Sequence, residues 1–153
     1  MDIIAATTAE HVAAVRHLLQ EYWDAFGFTA CFQNFADELA SLPGDYAPPA
    51  GRLALAFTSG KAAGCVALRP LDATRAEAKR LYVRPEFRGQ GIGLALLAWL
   101  ITEARAAGYR EILGDTLPVM ARALAMYARL GFEQTAPYSP EATPGAIYLR
   151  LAL

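Results

Sequence analysis

The sequence is short of cysteine and histidine, the residues that most often bind structural metals or form disulfides. Its 153 residues include two cysteines, Cys31 and Cys65, and two histidines, His11 and His17. Neither cysteine belongs to a Cys-x-x-Cys pair, and no histidine stands at metal-ligand spacing from either. The histidines lie too far apart to share one helix face as metal ligands. We therefore predict two buried thiols in a reducing compartment, two surface histidines and no metal site.

An excess of charge of either sign is also missing. The chain has 14 Lys and Arg against 15 Asp and Glu, for a net charge of −1. Proteins that hold a nucleic-acid backbone need a basic surface field, because most of the affinity comes from the phosphates. The composition therefore predicts no nucleic-acid partner.

Long apolar runs are absent as well. The longest apolar stretch, Leu94 to Ile101, is far shorter than the roughly 20 residues that a membrane helix needs. The start, Met1-Asp2-Ile3-Ile4, lacks a basic region followed by an apolar run, so it does not resemble a signal peptide. We expect a cytoplasmic protein with no membrane partner.

What the sequence does contain is a large apolar fraction in alternating strand and helix patterns. Hydrophobic residues make up 55% of the chain, which suits one domain spanning residues 1–153. Apolar periodicity and turn residues predict a mixed sheet with helices on both faces. The predicted strands are Met1–Ala6, Arg52–Thr58, Ala62–Arg69, Arg75–Val83, Arg110–Thr116, Phe132–Thr135 and Ala146–Leu153. The predicted helices are a first one running from a capping box at Thr7 and Glu10 to Gly27, then Phe32–Ser41, Gly91–Ala107 and Val119–Leu130.

Three glycines and an arginine follow the strand Arg75–Val83, in the run Arg88-Gly89-Gln90-Gly91-Ile92-Gly93. A helix start binds phosphate when its amide groups are unpaired and no side chain blocks the anion. The glycines meet the second condition, the helix from Gly91 supplies the amides and its dipole, and Arg88 adds a positive charge.

Several kinds of phosphate-binding turn contain such glycines. A Walker loop needs Lys followed by Ser or Thr after the last glycine, but Leu94-Ala95 follows here. A dinucleotide fingerprint needs glycine where Leu94 stands and a longer alternation of strands and helices beyond it. A coenzyme A pyrophosphate loop and a tight turn without any ligand both remain compatible with the residues.

Two segments, Leu81 to Gly93 and Ala125 to Phe132, resemble motifs of the GNAT superfamily of N-acetyltransferases. The segment from Leu81 to Gly93 resembles that family's coenzyme-binding strand and turn, in which Arg88, Gly91 and Gly93 match the signature. The segment from Ala125 to Phe132 resembles a later motif in which Tyr127 precedes Gly131-Phe132. The resemblance implies a GNAT-like fold, with a central mixed, mostly antiparallel sheet of six to seven strands and about four helices on both faces.

The resemblance also implies roles for particular residues. Acetyl-CoA would be the cosubstrate, without a metal. Tyr127 would be the general acid that protonates the leaving thiolate. The edge of the strand at Leu81, Tyr82 and Val83 would hydrogen-bond the pantetheine arm. Backbone amides of the glycine turn would bind the pyrophosphate, from the residues Arg88, Gly89, Gln90, Gly91, Ile92, Gly93 and Leu94.

The group that takes the proton of the amine is open at this stage. Glu77 lies on the strand expected beside the acetyl group, and strict alternation would place it on one face with Lys79, Leu81 and Val83. Glu77 could instead be a solvated carboxylate paired with Lys79 or Arg75. Asp115, near the end of the next strand, is a second candidate.

The acceptor is expected to bind near the first two helices. An aromatic cluster there contains Tyr22, Trp23, Phe26 and Phe28, and the acidic residues Glu21 and Asp24 could attract a cationic amine. We expect a small-molecule primary amine as the acceptor and a monomer or homodimer. Acetylation of a protein N-terminus or lysine, and a non-catalytic acyl-CoA-binding sensor, are the alternatives.

Overall fold

The strands of the molecule pair into a seven-stranded sheet in the order β1-β2-β3-β4-β5-β7-β6. This computed structural model describes residues 1–26, 35–118, 120–139 and 145–153. Neighbouring strands run antiparallel, except that β4 and β5 are parallel. Every strand lies within one residue of its predicted ends, so the mixed, mostly antiparallel sheet is confirmed. The strands are β1 (Asp2–Ala5), β2 (Arg52–Thr58), β3 (Lys61–Pro70), β4 (Arg75–Val83), β5 (Glu111–Thr116), β6 (Glu133–Gln134) and β7 (Ile147–Ala152).

Helices cover both faces of the sheet, as predicted. They are α1 (Ala9–Phe26), α2 (Phe35–Ser41), α3 (Ile92–Ala106) and α4 (Ala121–Arg129), and short 3-10 turns lie at Gly44–Tyr46 and Pro85–Phe87. The predicted start of the second helix lies outside the described residues, as do Gly27, Phe28, Cys31 and the side chain of Phe26. No helix of the described ranges is long and apolar enough to cross a membrane.

Each face of the sheet buries its own core. Between the sheet and α3 and α4 lies the α3–α4 core, which includes Ala76, Ala78, Leu97, Leu100 and Ile112. On the opposite face lies the α1–α2 core, which includes Val15, Leu18, Leu55, Cys65 and Ala67. Cys65 is a free buried thiol, as predicted, and burial raises its pKa to about 12.

Two details of α1 differ from the sequence predictions. The hydroxyl of Thr8, not Thr7, accepts a hydrogen bond of 3.1 Å from the backbone N–H of His11, and it therefore caps the helix. His17 is exposed, as predicted. His11 is instead half-buried, because its ring packs edge-on against Phe57 at 6.2 Å.

A β-bulge in β4 overturns the predicted pairing of side chains with faces. Arg80 has a left-handed φ of +61°, and the register of β4 against β3 shifts between Cys65 and Ala67. Beyond the bulge, Leu81 packs on the same core as Ala78. The prediction that Glu77 and Lys79 share a face with Leu81 and Val83 is therefore wrong, because an extra residue reverses the alternation of a strand.

Strands β4 and β5 stay paired over a short distance only. Their register covers Arg75 to Glu77 on β4 and Glu111 to Leu113 on β5. Beyond that point β5 continues to Thr116 paired with β7, and β4 continues to Val83 paired with β3. A gap therefore opens between the two strands in the middle of the sheet.

Candidate functional site

The gap between β4 and β5 exposes main-chain groups at the edge of β4. Arg84 donates its backbone N–H to the Ala63 carbonyl of β3 at 2.9 Å. Main-chain groups alternate along a strand, so those of Val83, and by the same alternation those of Leu81, point towards the gap. The Val83 carbonyl accepts a hydrogen bond of 3.0 Å from the Arg88 guanidinium. An extended amide-bearing molecule in the gap could therefore pair with this edge as an added strand.

The glycine turn supplies unpaired amides at the same end of β4. Gly89 and Gly91 have φ values of +81° and +79°, and a Cβ on either would meet open space. The first backbone hydrogen bond of α3 joins the Ala95 N–H to the Gly91 carbonyl, and no described side chain caps the helix. Among the described residues, nothing accepts from the amides of Gly89 to Leu94, so the turn presents a row of donors suited to phosphate oxygens.

Two residues of the turn, Arg88 and Gly93, make contacts that differ from their predicted roles. The Arg88 amide donates to the Pro85 carbonyl at 3.3 Å, and its guanidinium folds back onto β4 instead of lying at the mouth of the turn. Gly93 is buried, and a Cβ there would lie 2.8 Å from the sulfur of Met126. Gly93 therefore allows α4 to pack closely against the start of α3.

Tyr127 is brought to the gap by that helix contact. It follows Met126 on α4, is 4% exposed, and packs edge-on against Phe132 with ring centroids 4.9 Å apart. A Cβ on Gly114 of β5 would lie 3.8 Å from the Tyr127 hydroxyl, so glycine leaves room for the phenol. Burial and, next, the negative charge of Asp115 raise the pKa of Tyr127, and its hydroxyl is protonated at neutral pH.

Glu77 is a buried carboxylate with partners on both oxygens. Its side chain is 4% exposed. Oε1 accepts a hydrogen bond of 2.7 Å from the Arg69 guanidinium, and Lys79 Nζ lies 3.8 Å from the same oxygen. Oε2 accepts a hydrogen bond of 2.6 Å from the Tyr138 hydroxyl. The sequence-based alternative of a solvated carboxylate is therefore wrong, as is the pairing with Arg75, which binds Asp72 instead.

Lys79 and Asp115 lie near this carboxylate on the face that α1 covers. Burial lowers the pKa of Lys79, against the opposing influence of Glu77 and Asp115. The parallel register sets Glu77 beside Leu113, and alternation along β5 places Asp115 on the same face. The Asp115 charge also contributes to the raised pKa of Tyr22, after burial and against the influence of Arg80.

Tyr138 and Tyr148 belong to this site but were missed in the sequence. Tyr138 was part of a proline-rich loop, and Tyr148 of a strand with no marked function. Their rings meet edge-on at 5.3 Å, and Tyr148 stands directly opposite Asp115 on the neighbouring strand. The position of Tyr148 on a predicted strand was a signal for Tyr148, because that strand pairs with the one that carries the candidate base Asp115. No local sequence pattern indicated a functional role for Tyr138.

Ion pairs join α2 to the second half of β4 and α1 to the residue that follows β4. Arg80, at the bulge, binds Glu38 of α2 through two bonds of 2.7 and 3.0 Å. Arg84 binds Glu21 of α1 at 2.7 Å. The charge of Glu21, which the sequence suggested for amine attraction, is thus already compensated.

The aromatic cluster of α1 divides between packing and the site. Trp23 stacks on Phe35 at 4.6 Å, and Tyr22 packs edge-on against Tyr82 at 5.6 Å. The Asp24 carboxylate accepts a hydrogen bond of 3.0 Å from the Gln20 side chain. The described ranges contain no cluster of His, Cys, Asp and Glu that could hold a metal ion.

Comparison with known proteins gives consistent results. Residues 12–132 match the model of the acetyltransferase (GNAT) family. An uncharacterised N-acetyltransferase of Schizosaccharomyces pombe is 37% identical over 100% of this chain and 95% of its own length. An acetyltransferase structure from Streptococcus agalactiae superposes with a TM-score of 0.82, at 21% identity, covering 99% of this chain and 98% of that one. A Salmonella typhimurium structure that holds its cofactor acetyl-CoA superposes with a TM-score of 0.73, at 21% identity, covering 99% and 93%.

Proposed function

Because the chain belongs to the acetyltransferase (GNAT) family, we propose that it transfers the acetyl group of acetyl-CoA to the primary amine of a small molecule. One observation carries the proposal. The unpaired amides of Gly89 to Leu94 lie at the end of β4 whose open edge borders the gap to β5. A ligand with a pyrophosphate and an extended amide-bearing arm, as coenzyme A has, fits both features.

The chain's own residues divide the binding of acetyl-CoA between turn and strand. The amides of Gly89, Gln90, Gly91, Ile92, Gly93 and Leu94 bind the pyrophosphate. The main chain of Leu81 and Val83 binds the pantetheine amides, and Tyr82 holds this strand in place through its buried ring. For the arm to reach the Val83 carbonyl, the Arg88 guanidinium must leave it. Arg88 is exposed, so it is free to turn towards the phosphates instead.

Acetyl-CoA supplies a thioester, from which the acetyl group passes to the amine nitrogen as the carbon–sulfur bond breaks. Tyr127 gives its proton to the leaving sulfur, a role supported by its burial beside Gly114 at the gap. Its raised pKa keeps the phenol protonated before transfer. Because that pKa lies above the value of about 8.5 typical of a thiol, transfer of the proton to a free thiolate is uphill, and we propose that it is coupled to cleavage of the C–S bond.

The amine must lose a proton, and we propose Glu77 as the group that receives it. The Tyr138 hydroxyl joins Glu77 to the half-exposed side of the site, so the proton can pass to Tyr138 oxygen while Tyr138 passes its own proton to Oε2. Asp115 is the competing base, since it lies on the same face and influences the pKa of Tyr127 more strongly than Glu77 does.

We favour a small-molecule acceptor over a protein because ion pairs hold α1 and α2 against β4 on the acceptor side. Arg80 and Glu38 tie α2 over β4, and Arg84 and Glu21 tie α1 to its end. A protein N-terminus or lysine is the second candidate. A non-catalytic sensor is the third, and Tyr127 argues against it because a sensor needs no proton donor at the gap. We propose a cytoplasmic monomer or homodimer of one domain.

Two measurements test the function in sequence. Acetyl-CoA should raise the melting temperature, because a ligand that binds only the native state stabilises it. A panel of small amines, peptides and proteins is then assayed for release of free thiol. Release with small amines supports the proposal, and release with peptides alone transfers it to the second candidate. Binding without release on the whole panel supports the sensor, and no thermal shift with acetyl-CoA contradicts all three.

A further inference from the structure

Among the described residues, the face of the sheet under α1 carries two carboxylates that differ in their bonding. Glu77 is compensated by Arg69 at 2.7 Å and by Lys79 at 3.8 Å. Asp115 makes no hydrogen bond and no ion pair to any residue that the structure describes. It is half-buried, and Lys79 senses its charge without forming an ion pair with it. A partly desolvated carboxylate without an ion pair favours the approach of a cation. The negative charge on this face is therefore available at Asp115 rather than at Glu77.

A second polar group without a partner stands opposite. Tyr148 of β7 is 6% exposed, and its hydroxyl oxygen is buried without a hydrogen-bond partner in the described ranges. It faces Asp115 directly in the antiparallel register, so both side chains leave the same face of the sheet. Leaving a buried hydroxyl unpaired costs free energy, and such groups in native proteins commonly meet a ligand or water.

The neighbours of these two groups narrow the chemistry of what binds. The ring of Tyr138 packs edge-on against Tyr148, and the Tyr138 hydroxyl is already committed to Glu77. A ligand that offers several N–H donors can satisfy the Asp115 carboxylate and the Tyr148 oxygen together. A ligand carboxylate beside that nitrogen would instead meet the negative charge of Asp115.

We propose that Asp115 and Tyr148 form the subsite that binds the ammonium group of the acceptor, and that the acceptor is an alkylammonium without a carboxylate next to its nitrogen. This assignment rests on the proposed function, because it takes the bound amine to be the acetyl acceptor. Tyr148 positions the nitrogen, and Asp115 selects for its charge. The substrate class is thus a simple amine rather than an amino acid.

Calorimetric titration tests the subsite with matched probes that differ by one carboxylate. Phenethylamine and phenylalanine form one pair, and 3-methylbutylamine and leucine form the other. Each is titrated into the whole protein with and without coenzyme A. We expect the amine of each pair to bind at least tenfold more tightly than its amino acid. Equal affinities, or tighter binding of the amino acids, would overturn the proposal.

Two variants assign the preference to residues. Asp115→Asn and Tyr148→Phe should each weaken the binding of phenethylamine about 10- to 100-fold, as expected for a lost hydrogen bond to a charged group. Tyr148→Phe should keep or raise the melting temperature, because it removes an unpaired hydroxyl. Tyr109→Phe is the matched control, since the Tyr109 hydroxyl donates to the Ala50 carbonyl at 2.7 Å. It should lower the melting temperature and leave amine affinity unchanged.

The outcomes separate this subsite from the enzyme activity. Wild-type affinity in both Asp115→Asn and Tyr148→Phe would overturn the subsite even if amines are acetylated. Amine binding that depends on Asp115 and Tyr148, without release of thiol from acetyl-CoA, would support the subsite and contradict the proposed transferase activity.

Discussion

The Tyr138 hydroxyl donates a hydrogen bond of 2.6 Å to Oε2 of Glu77, a residue 61 positions earlier in the chain. The bond joins the loop between β6 and β7 to the middle of β4, across the acceptor side of the gap. Burial and, next, the charge of Glu77 raise the pKa of Tyr138. The phenol therefore remains a donor throughout the physiological pH range, and the loop stays attached to the carboxylate.

Tyr138→Phe should slow acetyl transfer more than it weakens the fold. Losing a hydrogen bond to a charged group should reduce the free energy of unfolding by about 1.5 kcal/mol. Turnover on an accepted amine should fall about tenfold or more if Tyr138 passes the proton, while the KM for acetyl-CoA stays constant. Steady-state kinetics and urea unfolding measure the two effects. Unchanged turnover would remove Tyr138 from the proton path.

Tyr127→Phe should reduce kcat by about 10²- to 10⁴-fold, the usual contribution of a general acid, with little change in acetyl-CoA binding. Because the pKa of Tyr127 is raised above its ordinary value of 10, the wild-type phenol stays protonated up to at least that pH. Ionisation of Tyr127 should therefore cause no loss of kcat between pH 7 and pH 10. A variant with undiminished kcat would contradict the assignment of the acid.

Gly91→Ala should abolish acetyl-CoA binding while costing only modest stability. Gly91 has a φ of +79°, and the strain of an L residue there is about 1–2 kcal/mol. Gly60 is the matched control, because it has a φ of +75° and equally open surroundings in the β2–β3 hairpin. Gly60→Ala should lose similar stability and keep the thermal shift with acetyl-CoA. Equal thermal shifts in both variants would refute the phosphate-binding role of the turn.

Glu38→Gln should destabilise the protein mainly at neutral pH. Burial would raise the pKa of Glu38, but the hydrogen bonds and charge of Arg80 outweigh it and lower that pKa below 4.5. A lowered folded pKa gives stability that is present above the unfolded pKa and is lost as pH falls through the folded one. We expect a loss of about 3 kcal/mol at pH 7, which shrinks below about pH 4.

Urea unfolding at pH 7, 5 and 3.5 measures this loss. Asp72→Asn is the control, because its pair with Arg75 is exposed and should contribute much less. A pH-independent loss in Glu38→Gln would show that packing, rather than the Arg80 pair, is what the substitution removes. Because Arg80 forms the bulge of β4, the same variant should also raise the KM for acetyl-CoA.

Most of the fold could be predicted from the sequence, because periodicity and turn residues are local signals. Strands β2 and β4 begin and end where they were predicted, and α3 is one residue shorter at each end. The glycine turn also followed from local chemistry. Gly89, Gly91 and Gly93 before an apolar helix, with Arg88, led to the prediction of a phosphate-binding helix start, which stays a prediction.

The acceptor side could not be predicted in the same way, since its residues meet through tertiary contacts. The bulge at Arg80 reverses the faces of β4, and nothing in the residues around it signals a left-handed arginine. It is held by Glu38, 42 positions away. Likewise, Gly93 was predicted to clear space for a phosphate, whereas the approach of Met126 from another helix explains it.

The short pairing between β4 and β5 divides the sheet into two parts, β1 to β4 and β5 to β7. These parts are hydrogen-bonded to each other along Arg75 to Glu77 of β4. A molecule that hydrogen-bonds inside the gap supplies contacts that the chain itself lacks there. Amide exchange in β4 beyond Glu77 and in β5 beyond Leu113 should therefore slow together when acetyl-CoA binds. In that sense the donor substrate completes the cooperative unit of the sheet, and the protein without it should open first along this seam.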